Sequence, residues 1–138
     1  MPQWKADCSV IRYPKSVKAF PKEQKHDVFI PGKWEQLTES SNTFLLATGS
    51  MVARAMDVYN TLSGEKKGIT VVNCSTVKPL DLEYLSEIPE NACVFTLEEH
   101  MQTGGFGEFV TRTCLDHGYT VPVWEKNSNL QRKELIHS

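Results

Sequence analysis

The stretch TLEEHMQTGGFGEF, residues 96–109, places two adjacent carboxylates and a histidine where an apolar run ends. Carboxylate and imidazole groups can act as general acid and base, and α/β proteins place their sites at the carboxyl ends of strands. However, neighbouring residues in a strand project to opposite faces, so Glu98 and Glu99 cannot share one proton unless the chain bends. No nucleophile stands beside His100 in this stretch. We therefore predict no catalytic residue here and favour an interface or turn role for the two carboxylates.

Three glycines follow the carboxylates and precede a helical pattern, an arrangement that could expose backbone N–H groups to an anion. Their positions, Gly104, Gly105 and Gly107, match neither the dinucleotide-binding spacing nor that of the P-loop. The neighbouring carboxylates would also repel a phosphate. The pattern favours a tight turn in which glycine permits close packing.

A second polar cluster lies in the stretch SVIRYPKS, residues 9–16. Arg12 and Lys15 could fix a phosphate or a carboxylate there, although a solvated pair of surface charges is the commoner arrangement. The cysteines contain no C-x-x-C pair and no histidine at a zinc-like interval, so we predict neither a disulfide framework nor a metal site. Cys74 and Cys93 fall in apolar runs and are expected to pack as small hydrophobic residues.

The composition is that of a soluble globular domain. A chain of 138 residues is long enough for one core, and a net charge of -2 gives no general attraction to nucleic acid or to an anionic membrane. No apolar run approaches the about 18 to 20 residues that span a bilayer, and the first residues lack the pattern of a signal peptide. We predict a cytoplasmic location.

The element pattern predicts an α/β fold. Residues 33–39 and 43–49 are β-like and flank three turn-forming residues, which predicts an antiparallel hairpin. From residue 50 onward helices alternate with strands: helices are predicted after Ser50, after Asp81 and at 106–118, and strands at 68–75, 92–98 and 119–124. This order predicts a three-layer α/β/α domain with a mixed, mostly parallel five-stranded sheet that has one antiparallel strand.

Five motifs occur in a fixed order over about residues 10 to 123. They are Arg12-Tyr13-Pro14, Ala47-Thr48-Gly49, Val77-Lys78-Pro79-Leu80-Asp81, Thr96-Leu97-Glu98-Glu99 and Gly104-Gly105-Phe106-Gly107. Together they resemble the carboxyl-terminal domain of the transketolase family, and most of all that of the 1-deoxy-D-xylulose-5-phosphate synthases. The resemblance implies that residues 1–31 are the end of a preceding pyrimidine-binding domain and a linker, that 32–124 form the transketolase C-terminal-like domain, and that 125–138 are a tail.

The resemblance also implies an activity for the intact enzyme. Such enzymes bind thiamine diphosphate and Mg²⁺ in other domains and join pyruvate, after loss of CO₂, to glyceraldehyde 3-phosphate, a step of isoprenoid precursor and thiamine biosynthesis. This sequence contains neither the family's G-D-G…N cofactor motif nor its pyrimidine-activating glutamate. We therefore expect no cofactor-binding residue in this chain and no activity from the chain alone. Its expected role is interdomain and dimer packing, with the remaining domains of the same enzyme as partners.

One substrate contact is implied at the start of the domain. The second arginine of the family's R-Y-P-R-G stretch resembles a contact to the substrate phosphate, and the matching position here is Lys15, close to Arg12. Lysine keeps the positive charge but lacks the bidentate fork of arginine, and Ser16 replaces the glycine that follows. After Val123 the sequence also departs from the synthases.

Two other classes remain open at the level of sequence. One is the C-terminal domain of a transketolase or of a 2-oxo acid dehydrogenase β-type subunit, which would act as a partner-docking module. The other is a stand-alone nucleotide-binding α/β protein, which the missing phosphate fingerprint disfavours.

Overall fold

The computed structural model describes Val10, residues 30–63, 68–99, Met101, 103–119 and 122–127. Arg12, Lys15 and His100 lie outside these residues. The elements in chain order are β1 (Glu35–Gln36), β2 (Thr43–Ala47), α1 (Met51–Ser63), β3 (Thr70–Asn73), α2 (Leu82–Glu87), β4 (Cys93–Glu98), α3 (Phe106–Asp116) and β5 (Val123–Asn127). None of the helices in this part of the chain has the length and apolarity that crossing a membrane requires.

The described strands form one five-stranded sheet in the order β1-β3-β2-β4-β5. The four strands β2 to β5 run parallel to one another, and β1 pairs antiparallel with β3. The predicted α/β class, with a mixed and mostly parallel sheet and one antiparallel strand, is therefore confirmed.

The predicted hairpin between β1 and β2 is wrong, because β3 lies between these two strands. Glu35 opposes Asn73, and the pairing to β3 continues past the end of β1, where the Leu37 N–H donates to the Val71 carbonyl at 2.8 Å. Thr38 then bonds to β3 through its side chain, with its hydroxyl accepting from the Val71 N–H at 2.8 Å. The turn-forming residues lead the chain around β3 rather than back along β1.

Two hydrophobic cores lie on opposite faces of the sheet, and β2 contributes to both by alternation. Phe44 and Leu46 belong to the core that includes residues of α2 and α3. Ala47 belongs to the core on the other face, with Met51 and Ala55 of α1. One face thus carries two helices, and the other carries α1 alone among the described elements.

Burial varies within the elements that pack on the sheet. Leu85 of α2 and Ile88 at its end are buried, whereas Leu82 is 41% exposed. Along β4 exposed and buried residues alternate, and Cys93 is exposed. Strand β5 begins at Val123 and runs to Asn127, later than predicted and into the segment assigned to the tail.

Asp81 is buried and holds the start of α2 against the segment that precedes β1. Its Oδ1 accepts a hydrogen bond from the Tyr84 N–H at 3.0 Å, which confirms the predicted helix cap. Its Oδ2 accepts from the Trp34 N–H at 2.8 Å. One carboxylate therefore satisfies backbone donors of two segments that lie 47 residues apart in the chain.

Two aromatic side chains add hydrogen bonds between the same parts of the chain. The Trp34 indole N–H donates to the Thr76 carbonyl at 2.8 Å, and the Tyr84 hydroxyl donates to Gln36 Oε1 at 2.9 Å. Burial raises the pKa of the Tyr84 hydroxyl to about 12. The hydroxyl therefore keeps its donor role to a higher pH than that of an ordinary tyrosine.

We predict that Asp81→Ala lowers the free energy of unfolding by about 2–4 kcal/mol, because it removes the cap of α2 and the acceptor of the buried Trp34 N–H. Urea unfolding followed by far-UV circular dichroism measures this change. Glu87→Ala, at an exposed position on the same helix, is the control and should change stability by less than about 0.5 kcal/mol. Equal effects of the two substitutions would contradict the role given to Asp81.

Candidate functional site at the carboxyl end of strand β4

The two carboxylates at the end of β4 have different environments. Glu98 is the last residue of the strand and is 2% exposed, whereas the next residue, Glu99, is exposed. This is the separation expected for neighbouring residues of a strand. The structure therefore does not bring the two carboxylates together on one buried group.

Glu98 binds the first turn of α3 with both of its carboxylate oxygens. Its Oε2 accepts from the Phe106 N–H at 2.6 Å, and its Oε1 accepts from the Gly107 N–H at 2.9 Å. A negative charge at this position also interacts favourably with the positive end of the helix dipole. Glu98 thus occupies the place where an anionic ligand would bind to this helix.

The glycine-rich turn is shaped around this carboxylate. At Gly105, the N-cap of α3, a Cβ would lie 2.6 Å from each carboxylate oxygen of Glu98 and 2.6 Å from the Met101 carbonyl oxygen. Gly104 has a φ of 77°, in the left-handed region that favours glycine. Its N–H donates to Glu108, a residue of the first helical turn. The N–H groups of Gly104, Phe106 and Gly107 are therefore satisfied by two carboxylates of the same chain.

The hydrogen bonds of Glu98 determine what this helix end can bind. Each oxygen of the Glu98 carboxylate accepts one backbone hydrogen bond, which fixes the orientation of the side chain against the start of α3. The carboxylate charge would also repel a phosphate at the same helix end. The geometry joins the end of β4 to the start of α3.

The other predicted site residues lie outside the described residues. Arg12 and Lys15, the candidate phosphate contacts, are not described, and neither is His100. The interface role of Glu98 and Glu99 has no partner surface in this structure that would test it, and it stays a prediction.

The described residues do not fit the Mg²⁺ and diphosphate of the cofactor that the family resemblance implies for an intact enzyme. Within the described ranges there is no group of three or more His, Cys, Asp or Glu side chains that could hold a metal ion. The buried carboxylates of Asp81 and Glu98 direct their oxygens to backbone N–H groups. We therefore derive no chemical step through this cofactor from the described residues.

The described thiols fall into two groups. Cys74 and Cys114 are buried, and burial raises the pKa of both thiols, so neither has the thiolate character of a nucleophile. Cys93 is exposed, contrary to the prediction that it packs as a small hydrophobic residue. The alternation of β4 places it on the opposite face of the sheet from Val94.

Sequence reasoning missed the bond between Glu98 and α3. Helix caps are normally sought in the residue directly before a helix, and here that residue is Gly105, which has no side chain to donate or accept. The capping carboxylate comes instead from the preceding strand, eight residues before Phe106. The available signal was a glycine at the N-cap together with an acidic residue at the end of the strand before it.

Comparison of the sequence and structure with known proteins identifies relatives of this domain. The family model for the transketolase C-terminal domain matches residues 32–124. The 1-deoxy-D-xylulose-5-phosphate synthase of Clostridium tetani is 35% identical over 114 residues, which is 82% of this chain and 18% of that protein. The synthase of Gloeothece citriformis is 41% identical over 93 residues, which is 67% of this chain and 15% of that protein.

A solved structure described as a split-gene transketolase in an inactive β4 tetramer is also similar, with a TM-score of 0.70 and 30% sequence identity. The match covers 84% of this chain and 39% of the chain in that structure. This chain therefore spans less than a fifth of the length of these curated synthases and about two fifths of the solved chain.

We predict that Gly105→Ala destabilises the protein more than Gly104→Ala does. The first substitution forces a Cβ against Glu98 and the Met101 carbonyl, and a loss of about 2–4 kcal/mol is expected from overpacking and a weakened cap. The second enters open space and carries mainly the backbone cost of a positive φ, about 1 kcal/mol. Urea unfolding of both variants measures the difference, and the reverse order would contradict the geometry of the turn.

Proposed function

The chain belongs to the transketolase C-terminal domain family, and on this premise we propose that it serves as the C-terminal domain of a thiamine-diphosphate-dependent transferase of the 1-deoxy-D-xylulose-5-phosphate synthase type. The whole enzyme would join pyruvate, with loss of CO₂, to glyceraldehyde 3-phosphate. Thiamine diphosphate and Mg²⁺ would be bound by other domains. The part played by this chain is interdomain and subunit packing.

The proposal rests on the hydrogen bonds that the buried Glu98 carboxylate makes to the start of α3. The most site-like cluster in the described residues uses its buried carboxylate to cap α3. A domain whose strand-end carboxylate caps a helix in this way is suited to packing against other domains. The synthase relatives, at 35% and 41% identity, support the choice of enzyme within the family.

The proposal assigns roles to parts of the chain beyond the described site. Residues 1–31 would connect to a pyrimidine-binding domain, 32–124 would be the packing domain, and 125–138 a tail. Lys15 and Arg12 would contact the substrate phosphate at the junction between domains. Glu99 and the turn at Gly104, Gly105 and Gly107 would face another domain or subunit. A cytoplasmic location is part of the same proposal.

Self-association is a further part of the proposed role. The similar split-gene transketolase structure is described as a β4 tetramer, which means that copies of one chain associate in that protein. We extend this to the present chain and propose that it contributes to a homodimer.

A second candidate is the C-terminal domain of a transketolase or of a 2-oxo acid dehydrogenase β-type subunit. The observation that favours it is the likeness to a split-gene transketolase at 30% identity. Its function would be to dock a partner subunit.

We expect the chain to show no binding of thiamine diphosphate in isothermal titration calorimetry with Mg²⁺ present, because its buried carboxylates, Asp81 and Glu98, are bound to backbone N–H groups. An intact 1-deoxy-D-xylulose-5-phosphate synthase, titrated in the same buffer, is the positive control. A saturable isotherm from this chain would overturn the assignment as a packing domain.

A pull-down separates the two candidates. Immobilised chain is mixed with a purified peripheral subunit-binding domain of a 2-oxo acid dehydrogenase complex. We expect no retention, since the synthase assignment includes no such partner. Retention of the subunit-binding domain at one copy per chain in about 0.5 M salt would favour the docking module. At this salt concentration the Debye length is about 4 Å, so interactions between surface charges are largely screened.

A further inference from the structure

We draw no further inference here: the strongest candidate, the partly exposed apolar surface that Phe95 of β4 and Trp124 of β5 form on the sheet face that carries α1, carries nothing because no contact within the described part of the chain shows what covers it.

Discussion

Buried carboxylates bonded to backbone N–H groups at helix starts hold the layers of this domain together. Asp81 caps α2 and binds the Trp34 N–H, and Glu98 caps α3 from the end of β4. A buried charge is costly unless hydrogen bonds replace its water, and the first N–H groups of a helix have no partner within the helix. Each carboxylate therefore replaces its lost water with N–H donors and gives the helix start an acceptor. Asp81 joins α2 to Trp34 in the segment before β1, and Glu98 joins α3 to β4.

This arrangement limits the chemistry available at the carboxyl ends of the strands. In many α/β proteins, ligands bind at this edge and use helix N-termini. In this chain, the start of α3 is taken by Glu98, and Glu108 binds the preceding Gly104 N–H. Acidic side chains therefore occupy the N–H groups that a phosphate-binding protein would leave free at this edge. This geometry supports the packing role proposed above.

The two faces of the sheet are covered by different numbers of described helices. The face with α2 and α3 buries residues of β2, β3 and β4 in one core, while α1 packs on β2, β3 and Leu97 of β4 on the other face. Phe95 and Trp124 remain partly exposed beside it. Apolar side chains on an open sheet face are stabilised when a further layer removes them from water.

The sequence by itself determined the order of helices and strands, the α/β class with a mostly parallel sheet and the cap by Asp81, because periodicity and capping depend on residues close together in the chain. The tertiary structure decided that β1 pairs with β3, since the composition of a turn does not reveal whether another strand enters between its two arms. It also decided that Glu98 caps α3, because that bond joins residues separated by a turn. Likewise, the exposure of Phe95 depends on where α1 lies across the sheet. Such contacts are set by packing between distant segments, which local sequence patterns do not encode.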